Sequence, residues 1–348
     1  MILDEPKEIE KLDLSKVVNI VEKFPEQCEE AIAIGRKFVV KGVKKPERVF
    51  VCGMGASGIV GDIIAGIFPD KEIRVIKGYD LPRYVEGKDL VFAISYSGNT
   101  EETLSILKAA TKRDCQLIAV TSGGEMEREC AKRSLLCVKI PKVDGIKPRF
   151  ALGYLLFPVI IILEKLRFIG KQNLDLVVKN LKETREEIKA SKPMKDNPAK
   201  RIAFKLLGSV PVVQGFGVYE PVVYRARTQF NENSKTPSFC ETFPELNHNS
   251  ILGWDDAAMG KNFSVVIIRD NQESEKMRKR IEFTKGLLKK SARSVTEVWS
   301  IYPYGLSRIL STLYVLDFTT VYLGLLRGRD PGDDSLISEL KTILKGTG

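Results

Sequence analysis

A single histidine, two tryptophans and six cysteines stand in 348 residues. One histidine cannot complete the usual zinc ligand sets. The cysteines at 28, 52, 115, 130, 137 and 240 contain no CxxC pair, so neither a structural zinc nor a redox dithiol is indicated, and no metal is expected. No run free of charge, 150–163 included, reaches the roughly 18 to 20 apolar residues that a spanning helix needs, so no membrane association is expected. The opening MILDEPKEIEKLDLSK mixes acids and bases and lacks the apolar core of a secretory signal, which leads us to expect a cytoplasmic protein. Blocks of like charge are missing too. The 55 basic and 45 acidic residues are interleaved, so the net charge of +10 does not mark a nucleic-acid-binding arm and suits a heat-adapted enzyme or a binder of anionic metabolites. With 43% hydrophobic residues the chain is neither disordered nor a small disulfide scaffold, and its length suits two domains.

Short β-branched runs alternate with helix-compatible stretches. The strand-like runs are 48–52 (RVFVC), 73–76 (IRVI), 90–94 (LVFAI), 116–120 (QLIAV) and 136–140 (LCVKI), with helical patterns at 57–68, 100–113 and 125–134. This alternation predicts an α/β fold with a doubly wound parallel sheet covered on both faces. An apolar helix at 152–166 closes the first domain, 1–166, which includes a helical leader. A charged helical connection follows at 167–205. The second domain, 206–348, repeats the pattern: strands at 210–215, 263–268 and 296–300, and helices at 221–230, 273–290 and 306–326. The two halves read as a diverged duplication. A last amphipathic helix, 336–344, is expected to lie against one of the sheets.

Chemistry concentrates at strand ends. Gly53-Met54-Gly55-Ala56-Ser57-Gly58 follows a strand and opens a helix, and it formally matches GxGxxG. A dinucleotide site would need an acid at the end of the next strand, where this chain has Lys77, a residue that only a 2′-phosphorylated cofactor would tolerate. Alternatively the turn brings N–H groups and the Ser57 hydroxyl to an anion at a helix N-terminus, or it is simply a tight turn; the motif alone leaves all three open. Ser95-Tyr96-Ser97-Gly98-Asn99-Thr100 also follows a strand and opens a helix, and Thr121-Ser122-Gly123-Gly124 follows a third. Hydroxyl-rich loops at neighbouring strand ends can form a cup for one phosphate. Thr100 by itself would read as a helix N-cap.

The order GMGASG, strand, SYSGNTEET resembles the sugar isomerase (SIS) domain. PRFALGY at 148–154, FNENSK at 230–235, ELNHNSILGW at 245–254 and SELK at 338–341 narrow the resemblance to the archaeal-type bifunctional phosphoglucose/phosphomannose isomerases over nearly the whole chain from about residue 48. The resemblance implies two SIS domains, each with a five-stranded sheet, assembled as a homodimer. It also implies a cofactor-free, metal-independent isomerase acting on hexose 6-phosphates. By the same resemblance Gly55, Ser57, Ser95, Ser97 and Thr100 bind the phosphate, and Glu232 is the base that moves a proton between C1 and C2. His248 opens the ring and is shared across subunits, Lys341 assists it, and Arg149 faces the enediolate oxygen. Such chemistry needs a general base and a fixed positive partner for developing charge, which a carboxylate and an arginine supply. Taken without the resemblance, Glu232 reads as a solvated helix-end acid, His248 as structural and Lys341 as a surface lysine. Two departures stand out: Ala56 replaces a usual glycine, and 330–335 (DPGDDS) lacks the threonine that helps accept both C2 epimers. A non-catalytic sugar-phosphate regulator and an NADP-dependent oxidoreductase are the alternatives.

Overall fold

The computed structural model describes residues 2–346, and it divides into two compact units. One comprises Lys23–Lys182 and Tyr302–Ile309; the other comprises the leader up to Glu22, Glu183–Ile301 and the chain from Leu310 onward. In chain order the first elements are α1 (Pro6–Leu12), α2 (Val17–Glu22), α3 (Phe24–Lys37), β1 (Val49–Cys52), α4 (Gly55–Ile67), β2 (Ile73–Ile76), β3 (Leu90–Ser95), α5 (Glu101–Ala110), β4 (Gln116–Thr121), α6 (Gly124–Lys132) and β5 (Leu136–Lys139). A 3-10 turn, Pro148–Phe150, leads into α7 (Leu152–Lys165). Next come α8 (Leu174–Ile188), α9 (Pro198–Leu206), β6 (Val210–Phe216), α10 (Glu220–Ser234), β7 (Phe239–Phe243), 3-10 turns at Glu245–His248 and Ser250–Trp254, and α11 (Ala257–Gly260). The chain ends with β8 (Phe263–Asp270), α12 (Glu275–Ser291), β9 (Ser294–Ser300), α13 (Gly305–Leu326) and α14 (Ser335–Gly346).

The first sheet has five parallel strands in the order β2-β1-β3-β4-β5. Every residue of β1 and β3 is buried, which is why these strands read as unbroken apolar runs: helices cover both of their faces. Strand order reverses between β1 and β3, and a ligand crevice forms at such a switch point, outside the carboxyl ends of the strands.

The second sheet is also parallel but has four strands, in the order β7-β6-β8-β9, so the five strands implied for it are corrected to four among the described residues. Its edge strand β7 (FCETF) is mostly half-buried and carries Glu and Thr, so no apolar run announced it. The charged stretch 167–205 folds as α8 and α9, and the division between the units falls within α8.

Helix α13 is long and apolar enough to cross a membrane by length and composition alone. It is a buried core helix, and its Asp317 meets Arg225 of α10 at 2.8 Å. Helix α14 departs from expectation. Its apolar residues Leu336, Ile337, Leu340 and Ile343 are all exposed, so among the described side chains none of these covers a sheet. An amphipathic period specifies a face; it does not specify what that face meets.

Candidate active site

In the first unit the loops after β1, β3 and β4 come together because those strands are adjacent and in register: Cys52 pairs with Ala93, and Ser95 with Thr121. Close approach requires glycine at two positions. A Cβ on Gly53 would come within 2.8 Å of the Ile94 carbonyl oxygen. Gly98 has φ of +68° and lies so close to the Gly123 carbonyl that no side chain fits. These contacts press the second loop against the other two.

Gly55, Ser57, Ser95, Ser97 and Thr100 therefore share one edge of the sheet, at the ends of adjacent strands. Gly55 opens α4 with φ of +51° and is exposed, while Ser57 in its first turn is buried. Thr100 occupies the N-cap position of α5, but its side chain caps no backbone N–H. Its hydroxyl turns instead to the Ser95 hydroxyl at 2.9 Å. Ser95 accepts the Gly98 N–H at 3.1 Å, and the exposed Ser97 accepts the Asn99 N–H at 3.2 Å. Two helix N-termini, α4 and α5, open at this edge, and their unsatisfied N–H groups and dipoles favour an anion. The third loop serves as a buttress: the Ser122 hydroxyl donates to the Tyr96 carbonyl at 2.6 Å, and the Asn99 side chain accepts the Glu125 N–H at 3.0 Å.

Lys77, the residue that weakened the dinucleotide reading, is held by Asp62 at 2.5 Å. Its aliphatic stem covers Gly58 of α4, where a Cβ would come within 3.0 Å of it.

Arg149 lies in the 3-10 turn that packs against α4, and it is buried with its guanidinium 4.7 Å from the centre of the Phe150 ring. Sequence reasoning missed what holds this turn. Buried Gln27 of α3 donates to the Phe150 carbonyl at 2.9 Å and accepts the Gly153 N–H at 2.8 Å, which anchors the backbone just after Arg149. A glutamine in an amphipathic helix gives no signal of such a role.

The other three residues belong to the second unit and occupy three separate elements. Glu232 is half-buried in the last turn of α10, between exposed Asn231 and fully buried Asn233. His248 ends the 3-10 turn after β7 and is exposed. Its neighbours explain this: Leu246 enters the core, and Asn247 donates to the Thr284 hydroxyl of α12 at 2.8 Å, so the turn is pinned on one side and the imidazole faces out. Lys341 is exposed on α14.

Comparison with known proteins matches both halves. Residues 43–146 match the SIS domain, and residues 195–344 match the family described as bacterial phospho-glucose isomerase C-terminal SIS domain. A bifunctional phosphoglucose/phosphomannose isomerase of Caldicellulosiruptor bescii is 35% identical over 93% of this chain and 97% of its own length. The Aquifex aeolicus protein of the same name is 31% identical over 95% of this chain and 99% of its own. Among solved structures, a hypothetical protein of Thermus thermophilus superposes with a TM-score of 0.75 over 99% of this chain and 94% of its own; at 15% identity this likeness speaks to the fold alone. Relatives of that identity, aligned nearly end to end, establish that the chain belongs to the bifunctional phosphoglucose/phosphomannose isomerase family.

Proposed function

We propose that the protein interconverts fructose 6-phosphate with glucose 6-phosphate and mannose 6-phosphate by ring opening and a cis-enediolate. The observation that carries this reading is the hydroxyl cup at the β1/β3 switch point, where Thr100 turns its hydroxyl to Ser95 instead of capping its own helix. Family membership supports the same reaction class.

In this scheme Gly55, Ser57, Ser95, Ser97 and Thr100 grip the phosphate dianion. His248 takes the anomeric hydroxyl proton and delivers one to the ring oxygen, with Lys341 assisting; an imidazole suits this because its two ring nitrogens can accept and donate a proton. Glu232 removes the proton at C2 of the aldose and returns it to C1, while the C2 hydroxyl proton passes to the C1 oxygen. Arg149, always charged, pairs with the oxygen on which negative charge develops. C2 is planar in the enediolate, so one intermediate leads to either C2 epimer according to the face that receives the proton. No metal or organic cofactor enters these steps.

A coupled assay starting from fructose 6-phosphate, followed separately through both hexose products and run with a chelator, tests the reading. Turnover is expected, and Glu232→Gln should lower it by roughly a hundred- to ten-thousand-fold, the usual contribution of one general base. Normal turnover in a folded Glu232→Gln would remove the base assignment. Sugar-phosphate binding without any turnover would leave a regulator in place of an enzyme.

The same reading includes a cytoplasmic homodimer in which His248 serves the neighbouring subunit's sugar. It is supported by the outward-facing imidazole, by the uncovered apolar side of α14, and by six cysteines present as free thiols. Mixing inactive Glu232→Gln with inactive His248→Asn subunits should restore part of the activity, because some hybrid sites combine an intact acid with an intact imidazole. Hybrids as inactive as their parents would place both groups in one subunit's site.

A further inference from the structure

The last turn of α10 is fastened to α13 by a set of buried hydrogen bonds. Asn233 is fully buried, and its amide donates to the Gln229 side-chain oxygen at 3.0 Å and to the Thr320 hydroxyl oxygen at 2.9 Å. The Thr320 hydroxyl sends its own proton to the Asp317 carbonyl at 2.7 Å, which leaves its oxygen to accept from Asn233. Ser234 adds a bond from its hydroxyl to the Thr320 carbonyl at 2.6 Å. One turn further on, Gly324 lies against the Asn233 carbonyl, where a Cβ would come within 2.5 Å. One turn earlier, Arg225 meets Asp317.

Apolar packing alone tolerates a small rotation of one helix against another. Buried hydrogen bonds do not, because any slip leaves a donor or acceptor desolvated and unpaired. The network therefore sets the rotation of the last turn of α10 about its axis. Glu232 precedes Asn233 directly and is offset from it by roughly 100° around the helix, so the direction in which its side chain leaves the backbone is set by the same bonds. Beyond the turn, Lys235 adopts a left-handed conformation with φ of +53°. Its ammonium bonds the Glu232 carbonyl and, at 2.7 Å, the Asp333 carbonyl, tying the turn to the segment from which α14 departs.

We propose that Thr320, acting through Asn233, is a positioning residue for the Glu232 carboxylate. This rests on the reading of Glu232 as the base. Thr320→Val removes the hydroxyl at nearly constant shape, and Thr320→Ser keeps it. In steady-state kinetics with fructose 6-phosphate, Thr320→Val is expected to lower kcat roughly 10- to 100-fold, the scale of a misplacement near 1 Å. KM should stay within about twofold, since the phosphate cup is untouched, and Thr320→Ser should recover most of kcat. A role in stability alone would lower the melting temperature and leave kcat of the folded variant unchanged.

Wild-type kcat in folded Thr320→Val, or a rise in KM alone, overturns the proposal. Should Thr320→Val fail to fold, Gly324→Ala decides by the same readout, because it displaces the Asn233 carbonyl without deleting a hydrogen bond. If neither variant folds, the network is a stability element and the proposal falls. Collapse of activity in Glu232→Gln together with wild-type kcat in Thr320→Val overturns positioning alone, whereas normal turnover in Glu232→Gln overturns the base as well.

Discussion

The carboxyl edges of the two sheets differ in what fills them. Both sheets use the same core order, with β2-β1-β3-β4 in one and β7-β6-β8-β9 in the other. At the end of β3 and just beyond it the chain presents Ser95, Ser97 and Thr100, hydroxyls that can turn toward an anion. At the end of β8, the equivalent strand, and just beyond it stand Arg269, Asp270 and Glu273. There the buried guanidinium of Arg269 meets buried Glu273 at 2.6 and 2.9 Å, and Asp270 accepts from the Tyr219 hydroxyl at 2.6 Å. Carboxylates already supply the negative charge at this edge, so it is closed to a phosphate. The two sheets share a strand order, and it is the loop chemistry at their carboxyl edges that differs.

If this contrast is right, substitutions at the two edges should separate binding from stability. The largest effect on stability is expected from Glu273→Gln, which strips Arg269 of its bidentate partner. Unfolding free energy should fall by about 3 kcal/mol, the scale for breaking a buried pair, with KM for fructose 6-phosphate unchanged. Chemical denaturation checks the first part, and a shifted KM in the folded variant would break the contrast.

At the first edge the reverse should hold. Joint Ser57→Ala and Ser95→Ala substitution removes two hydrogen bonds to a charged group, worth ~1.5–3 kcal/mol each when made to an ion. KM should rise at least tenfold while the melting temperature moves little. Smaller again is the stabilisation that the wild-type protein should gain from inorganic phosphate: about 1.4 kcal/mol per tenfold of concentration above its dissociation constant, seen as a rising melting temperature. The serine variant should lose this response and Glu273→Gln should retain it. The smallest effect belongs to Lys77→Met. Its partly exposed pair with Asp62 is worth no more than about 1 kcal/mol of stability, and a large change in KM would instead give the lysine a direct role at the phosphate.

The sequence showed the first sheet more clearly than the second. The run at 73–76 coincides with β2, and 90–94 misses only Ser95 of β3. Buried parallel strands carry continuous apolar runs, so they are legible. β7 was not, because an edge strand exposes one side and its FCETF mixes types. Within the site, SYSGNTEET identified the loop but not the orientation of Thr100, which depends on where Ser95 lies across the turn. Gln27 and Thr320 left no mark at all. Each sits on a helix where a polar residue is ordinary, and its significance comes from a partner 123 or 87 positions away in the chain.

Local chemistry was therefore settled by the sequence alone: which buried segments form strands, which turns carry glycine, and which loops present hydroxyls. Those properties depend on dihedral preference and on patterns a few residues long. Tertiary structure decided what each group faces, including the closed second edge, the uncovered apolar side of α14 and the buried fastening beside Glu232. Burial and hydrogen-bond partnership are relations between distant segments, and no single stretch of chain encodes them.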